Sequence, residues 1–484
     1  MTEEKSSYRQ IMKATSIFGG VQVFNILISI IRSKAIAVLL GPAGMGIVGL
    51  LTSTTGLVSS LTNFGLGTSA VKDIAEAHGA GDEARIAKTA AVFKKLVWIT
   101  GLLGALVTLF LSSLLSELTF GNRDYTWSFV FLSVTLLLGQ LTSGQNVILQ
   151  GSRKLKYLAS ANMAGSILSL LITLPLYYLY GSSGIVPALI IMGISTFFVA
   201  MYFGNKIEIP IVKVDIQEVV RKGKGMLKLG FMLSLSGLIS SIVAYSVTIY
   251  ISNTGGVEDV GLYNAGFQII STYVGLVFTA MGTDYFPRLS AVAHDDEKSG
   301  ELVNQQSEIA ILILGPILLL FIFSINWVVI FLYSEKFIAI NEMLRWSALG
   351  MFFKAASWPI GFIFLAKGDS GIFFKSELFA NFYILILNIF GYKYFGLTGL
   401  GISFLIGYIL VYFQVQLITW YKYNFKHKPS FLILFLIHFT LSVIGFILME
   451  KENNLFFLIL IIMIIILSLL ISFRELNKRM SFIK

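Results

Sequence analysis

The chain has 484 residues, 56% of them hydrophobic and 13% charged, with a net charge of +10 and a mean hydropathy of +0.81. Soluble domains carry about 25% charged residues, so a water-soluble fold is excluded. The surplus of basic residues then belongs to loops at a membrane face rather than to a nucleic-acid interface. Cysteine is absent and the four histidines (His78, His294, His427, His438) are scattered, which excludes thiol chemistry and leaves no metal or other cofactor to expect.

The opening residues MTEEKSSYRQIMK are polar and include two acids. They do not resemble a cleaved signal, so the first span is expected to stay. A bilayer crossing needs about 20 apolar residues. Fourteen stretches meet that length: 14–40, 45–71, 91–116, 126–150, 157–180, 183–204, 227–251, 261–285, 306–333, 343–366, 371–394, 398–420, 431–449 and 455–473. Glycine turns such as LGPAGMG and YGSSGI join several of them. These spans are too long for barrel strands, and lipid demands internal backbone hydrogen bonding, so the class is an all-α polytopic membrane protein.

Basic residues set the expected orientation. With the N-terminus inside, 28 of the 36 Lys and Arg fall on inner segments and five on outer ones: Arg123, Lys336, Arg345, Lys393 and Lys451. That asymmetry predicts both termini in the cytoplasm. The outer loops are short and leave no room for an extracellular catalytic domain, and no enzyme signature appears. GPAGMG lacks the Lys-Ser/Thr and the strand–helix setting of a nucleotide loop.

The connection KVDIQEVVRKGKGMLK falls midway through the first twelve spans and reads as a linker along the inner surface. Shifting the sequence by 215 residues lays 45–70 on 260–285. Gly46 then meets Gly261, and Gly67-Thr68 meets Gly282-Thr283, with 4 of 26 positions identical. Both segments run inward, so the repeat is parallel. The predicted organisation is a six-helix lobe over 1–204, a cytoplasmic amphipathic linker over 205–226, a second six-helix lobe over 227–425, and two additional spans with a tail over 426–484. The last span, glycine-free and uncharged, is expected to face lipid.

The remaining three of the 36 Lys and Arg, namely Arg32, Lys34 and Lys354, lie within spans. A Lys or Arg at the bilayer centre costs about 2.5–3.5 kcal/mol on insertion scales, unless its stem lets the charge snorkel to the interface. Lys354 lies about 16 Å of helix from either end of its span, too deep to snorkel, so it should face a polar interior. Arg32 and Lys34 lie about 10 Å from the outer turn at Gly41-Pro42. They project about 200° apart, so their roles should differ, with Lys34 favoured as the pathway residue. Under the 215 shift they fall on Val247 and Ile249, so the positive site is asymmetric. Such a site suits an anion such as phosphate or diphosphate. Glu377, inside span 11, and Asp284 and Asp73, at the inner ends of spans 8 and 2, are the candidate ion-coupling acids, because burial would let a carboxyl exchange protons. Solvated helix ends, or pairing with Lys375 and Lys367, would explain the same acids without function. His438 is expected to be a satisfied polar residue.

The stretches KAIAVLLGPAGMG (34–46), FGNRDY (120–125), YFPRLS (285–290), SEKF (334–337) and GMFFKAASWPIGFIFLAKGDSGIFFKSELF (350–379) resemble a family. The chain looks like a Wzx-type O-antigen or polysaccharide flippase of the multidrug/oligosaccharidyl-lipid/polysaccharide exporter superfamily. The resemblance places Lys34, Lys354, Lys367 and Glu377 where lipid-linked glycan flippases carry the same residue types. It implies two six-helix lobes in a V, a bacterial inner-membrane location and no catalysis. The implied substrate is an undecaprenyl-diphosphate-linked glycan whose prenyl tail stays in membrane lipid. A polysaccharide polymerase and a chain-length regulator would be its partners. Three features depart from that pattern: Arg32, an aspartate at 284 where tyrosine is typical, and the two C-terminal spans. A lipid II (peptidoglycan precursor) flippase or a multidrug exporter on the same scaffold are the competing readings. The second would favour acids, rather than bases, in its cavity.

Overall fold

The computed structural model describes residues 3–207, 210, 212–449 and 455–481. The side chains of Lys5, Arg9 and Lys13, and residues Lys451 and Lys484, all counted above for orientation, lie outside what it describes. Among the described residues every regular element is helical. The chain divides into two compact units, Met1–Gly261 and Leu262–Lys484.

The first unit begins with α1 (Glu3–Leu39) and α2 (Gly41–Thr62). They are separated at Gly41, whose φ of +67° is open to glycine. Pro42 then sits in the first turn of α2, where its missing N–H costs nothing. The expected second span, 45–71, is broken: Phe64 and Gly65 both take positive φ, and α3 (Leu66–Gly79) is a separate short helix. Next come α4 (Glu83–Phe110), α5 (Ser112–Phe120), α6 (Thr126–Gly151), α7 (Leu155–Tyr180), α8 (Ile185–Gly204) and α9 (Ile216–Gly255). Asp82 caps α4 by accepting from the Arg85 amide at 2.8 Å. Leu66, Ile74, Phe93, Val97, Val147 and Met226 pack α3, α4, α6 and α9 around one core.

The connection into α9 is tied to α4. Lys95 Nζ donates to the Val214 carbonyl at 2.6 Å, and Lys88 pairs with Glu218 at 2.7 Å. From Ile216 onward the chain is already helical, and α9 packs on α2, α3, α4 and α5. By these contacts α9 belongs with the first compact unit, Met1–Gly261. Buried hydroxyls of Thr54, Thr119 and Tyr245 meet at 3.0–3.1 Å and join α2, α5 and α9.

The 215-residue repeat has a structural counterpart at the start of α10 (Val257–Gln268). A Cβ built on Gly46 would strike the Val257 carbonyl, and one built on Gly261 would strike the Pro42 carbonyl. Pro42 and Val257 are equivalent under the shift, as are Gly46 and Gly261. The contact is thus reciprocal, as a two-fold relation between the two segments requires.

The second unit continues through a single π-helical turn, Ile269–Val274, into α11 (Leu276–Ala291). It then runs through α12 (Asp296–Leu332), α13 (Asn341–Ala366), α14 (Ser370–Tyr423), α15 (Pro429–Met449) and α16 (Leu455–Ser481). Tyr285, Leu289, Ile360, Phe364, Val415 and Tyr423 share its core. The two C-terminal helices pack on α12. His438 reaches Ser468 at 2.9 Å and Ser472 at 3.3 Å, and Arg479 pairs with Glu308 at 3.0 Å. The rest of α16 presents exposed Ile459, Met463, Leu470 and Phe473.

Eleven described stretches are long and apolar enough to cross a bilayer. Two of these, Leu155–Gly204 and Ser370–Tyr423, double back on themselves. Tyr157 meets Phe203 and Gly165 meets Thr196, pairs centred on Gly181, whose φ is +54°. Gln414 donates to the Ser376 hydroxyl and carbonyl at 2.7 and 2.9 Å. Ser403 donates to the Leu387 carbonyl at 2.6 Å, and Gly391 meets Gly399. These pairs are centred beside Gly396 (φ +56°, ψ −140°). Each arm of some 26 residues gives about 39 Å of helix, enough to span a hydrocarbon core of about 30 Å.

Candidate functional site

In the first unit Arg32 opens onto a cleft of about 430 Å³ between α1, α6, α7 and α8. Its polar lining is Asn25, Thr142, Asn146, Asn162, Ser166, Ser169 and Thr196. The Arg32 guanidinium donates to Ser169 Oγ at 3.1 Å, and Ser166 donates to Asn25 Oδ1 at 3.2 Å. Two buried polar atoms in the cleft, Arg32 Nε and Asn146 Oδ1, have no hydrogen-bond partner. The phenol of Tyr177 lies within electrostatic reach of the guanidinium. Past Glu4, none of these four helices carries an acid. Of the paired charges near the end of α1, it is Arg32 that lines the cleft; Lys34 is not part of that lining.

These polar groups were legible as a pattern that the search for charges passed over. Asn162, Ser166 and Ser169 recur at i, i+4 and i+7. Thr142 and Asn146 are four apart, and Asn25 and Arg32 seven apart. Each set shares one face of its helix. A second cleft of about 430 Å³, between α2, α3, α4, α6 and α9, is neutral and hydroxyl-rich, with Ser60, Asn63, Thr68, Gln140, Ser143 and Ser241.

In the second unit the Lys354 ammonium stands over two rings, 5.6 Å from the centre of Phe278 on α11 and 5.3 Å from that of Tyr408 on α14. Among the described residues no carboxylate pairs with it. Glu377 is half-buried near the start of α14 and likewise forms no ion pair there. Tyr383, whose buried hydroxyl has no partner, lies within electrostatic reach of both Glu377 and Tyr408. Lys354, Tyr408, Tyr383 and Glu377 thus follow one another along the α13–α14 packing.

The other acids are placed differently. Asp284 is exposed and pairs with Arg288 of its own helix at 3.1 Å, while neighbouring Tyr285 turns inward and donates to the Pro359 carbonyl at 2.8 Å. Asp73, on α3, is half-buried. Burial, and then the charge of Glu76, hold its carboxyl above the ordinary range. Lys367, matched by resemblance, is tied to Asp296 at 2.5 Å and to the Ala293 carbonyl at 2.7 Å, a structural clamp rather than a free charge.

That clamp belongs to a larger cluster. Lys422 pairs with Asp369 at 2.8 Å, Lys428 with Glu301 at 3.2 Å, and Ser430 donates to Glu308 at 2.6 Å. The hydrogen bond from Lys422, and then that from Tyr423, hold the Asp369 carboxyl below its usual range. Residues of segments 288–298, 367–375, 422–428 and 474–481, grouped by charge in the sequence, therefore meet at one end of the unit.

The model of a family described as polysaccharide biosynthesis protein matches residues 11–293. A putative O-antigen transporter from Shigella flexneri is 24% identical, across 77% of this chain and 88% of that protein. Among solved structures, the lipid II flippase MurJ in an inward closed conformation superposes with a TM-score of 0.71 at 14% identity, covering 97% of this chain and all of that one. An inward-facing multidrug resistance MATE transporter of the MOP superfamily gives 0.69 at 19% identity, covering 83% and 94%.

Proposed function

Because the chain belongs to the polysaccharide biosynthesis protein family, we propose that it is a flippase. It moves undecaprenyl-diphosphate-linked oligosaccharide units, of O-antigen or a related surface polysaccharide, from the inner to the outer leaflet of the bacterial inner membrane by alternating access. The observation that carries this reading is Lys354: a cation deep in a span, over aromatic faces and with no carboxylate partner among the described residues. Scaffold packing gives no reason to keep such a charge, whereas an anionic substrate does. Lys354, in the second unit, meets the diphosphate; Lys34 and Arg32 are the first unit's candidate cations for anionic groups of the same substrate. The eleven candidate spans, the second arms of the two hairpins and α10–α11 make fourteen crossings, with both termini cytoplasmic. The name of the Shigella relative favours a polysaccharide unit over lipid II. Likeness to MurJ and MATE speaks for the scaffold.

The test is complementation of a strain lacking its own polysaccharide flippase. The unmodified chain should restore surface polysaccharide, and Lys354→Ala should abolish it while membrane-inserted protein persists. Lys354→Arg, which keeps the charge, should restore a fraction. Full surface polysaccharide from the alanine variant would overturn the reading. So would rescue of a lipid II flippase depletion in place of the polysaccharide defect.

A further inference from the structure

The Arg32 cleft lacks something in two opposite senses. Arg32 Nε is a buried donor without an acceptor, and Asn146 Oδ1 is a buried acceptor without a donor. A guanidinium cannot shed its proton, and the four lining helices supply no acid beyond Glu4, some 42 Å of helix from Arg32. Ser169 accepts one of its N–H groups, but among the described residues no carboxylate pairs with Arg32, so its charge is open to an anion from outside the bundle. One guanidinium offsets one negative charge, which fits a carboxylate better than a diphosphate and matches the bidentate geometry of Arg. A halide could answer Arg32 but has no proton to give Asn146. The space, about 430 Å³, is many times the roughly 30 Å³ share of one water. The remaining lining is amide and hydroxyl, the partners of a polyol.

We infer that the cleft between α1, α6, α7 and α8 binds an acidic sugar unit. Its carboxylate lies on Arg32, and its ring hydroxyls lie on Asn25, Asn146, Asn162 and Ser166. The glycan as the source of that sugar rests on the function proposed above; the binding itself does not. The chain is thereby fitted to a repeat unit containing a sugar acid rather than to a wholly neutral one.

The binding is read on purified full-length protein in detergent, as the shift in thermal midpoint with added glucuronate, glucose or acetate at constant ionic strength. Glucuronate should stabilise at lower concentration than either of the others. Arg32→Gln should raise the glucuronate concentration needed by about tenfold or more, the scale of one charge-assisted hydrogen bond, and Arg32→Lys should recover part of it. Asn146→Asp supplies an internal counter-charge, so it should remove the glucuronate response while leaving the protein folded. Equal effects of glucose or acetate, or an unchanged response in Arg32→Gln, would overturn the site. A second arm measures surface polysaccharide from Arg32→Gln in the complemented strain. A drop assigns the sugar acid to the transported glycan, and full export overturns that assignment. Failure of the unmodified chain to restore polysaccharide would count against the flippase reading alone.

Discussion

Lys354 and Arg32 show two ways of keeping a cation within a span. Ring faces at 5.3 and 5.6 Å are near the limit of a cation–π contact, worth about 0.5–1 kcal/mol each. Together they fall short of the 2.5–3.5 kcal/mol insertion cost, so Lys354 still gains from an anion. Arg32 has hydroxyls and amides instead of rings and keeps an unanswered N–H. His427, in the connection between α14 and α15, takes the opposite course and stays neutral. It stacks on Phe431 at 3.9 Å, with Nδ1 3.3 Å from Asn304 Oδ1, and burial pushes its pKa down to about 3. An unfolded histidine titrates near 6.5. Between those values the unfolded chain binds the proton and the folded one does not. Stability is therefore lost as pH falls from about 6.5 towards 3, by up to about 1.4 kcal/mol per pH unit. His427→Phe should flatten that part of the pH profile of the thermal midpoint in detergent. A profile as steep as that of the unmodified protein would remove His427 as the cause.

At the scale of helices, close approach is set by glycine. Gly46 and Gly261 let α2 and α10 touch backbone to backbone, where neither side can yield. Gly46→Val or Gly261→Val should each cost at least about 1–3 kcal/mol, the usual penalty of overpacking. Gly56→Ala, which meets nothing within 4 Å, should leave the thermal midpoint unmoved or slightly raised. Equal midpoints for Gly46→Val and Gly56→Ala would contradict the contact. The sequence repeat aligned these two glycines without giving either a role; the role is visible only in the geometry. Helix class and most spans were legible for a simpler reason: apolar length is a one-dimensional property. Breaks were harder. Residues 45–71 read as one span because Asn63-Phe64-Gly65 is too short to lower a hydropathy window, yet a positive φ at Phe64 and Gly65 ends α2 there. The clefts were least legible, because Asn and Ser on four separate helices become a site only when packing brings their faces together. The charged members stood out against lipid; the neutral members did not.

Across the molecule, charge is sorted by depth. The paired charges Lys367–Asp296, Lys422–Asp369, Lys428–Glu301 and Arg479–Glu308 collect at one end of the second unit, while Lys354 and Glu377, further along its helices, form no ion pair among the described residues. Pairing of exposed charges is worth little; unpaired charges at depth are retained for what they bind. Lys354 stands over Tyr408, and Tyr383 lies within electrostatic reach of both Tyr408 and Glu377, so a proton on Glu377 would change the field along that row. With Glu377 protonated the site would be net positive and would hold an anion; with it ionised the two charges would offset each other and the anion would be released. Proton exchange at Glu377 would thus couple a proton gradient to substrate movement, whereas Asp284, exposed and paired with Arg288, has no such lever. Glu377→Gln fixes the neutral form. In inverted membrane vesicles loaded with lipid-linked glycan, the unmodified protein should flip faster when a proton gradient is imposed. Glu377→Gln should flip at one rate with or without the gradient, and Asp284→Asn should retain the dependence. If the glutamine variant responds to the gradient as the unmodified protein does, the driving force enters elsewhere, and Glu377 serves only the packing of α14.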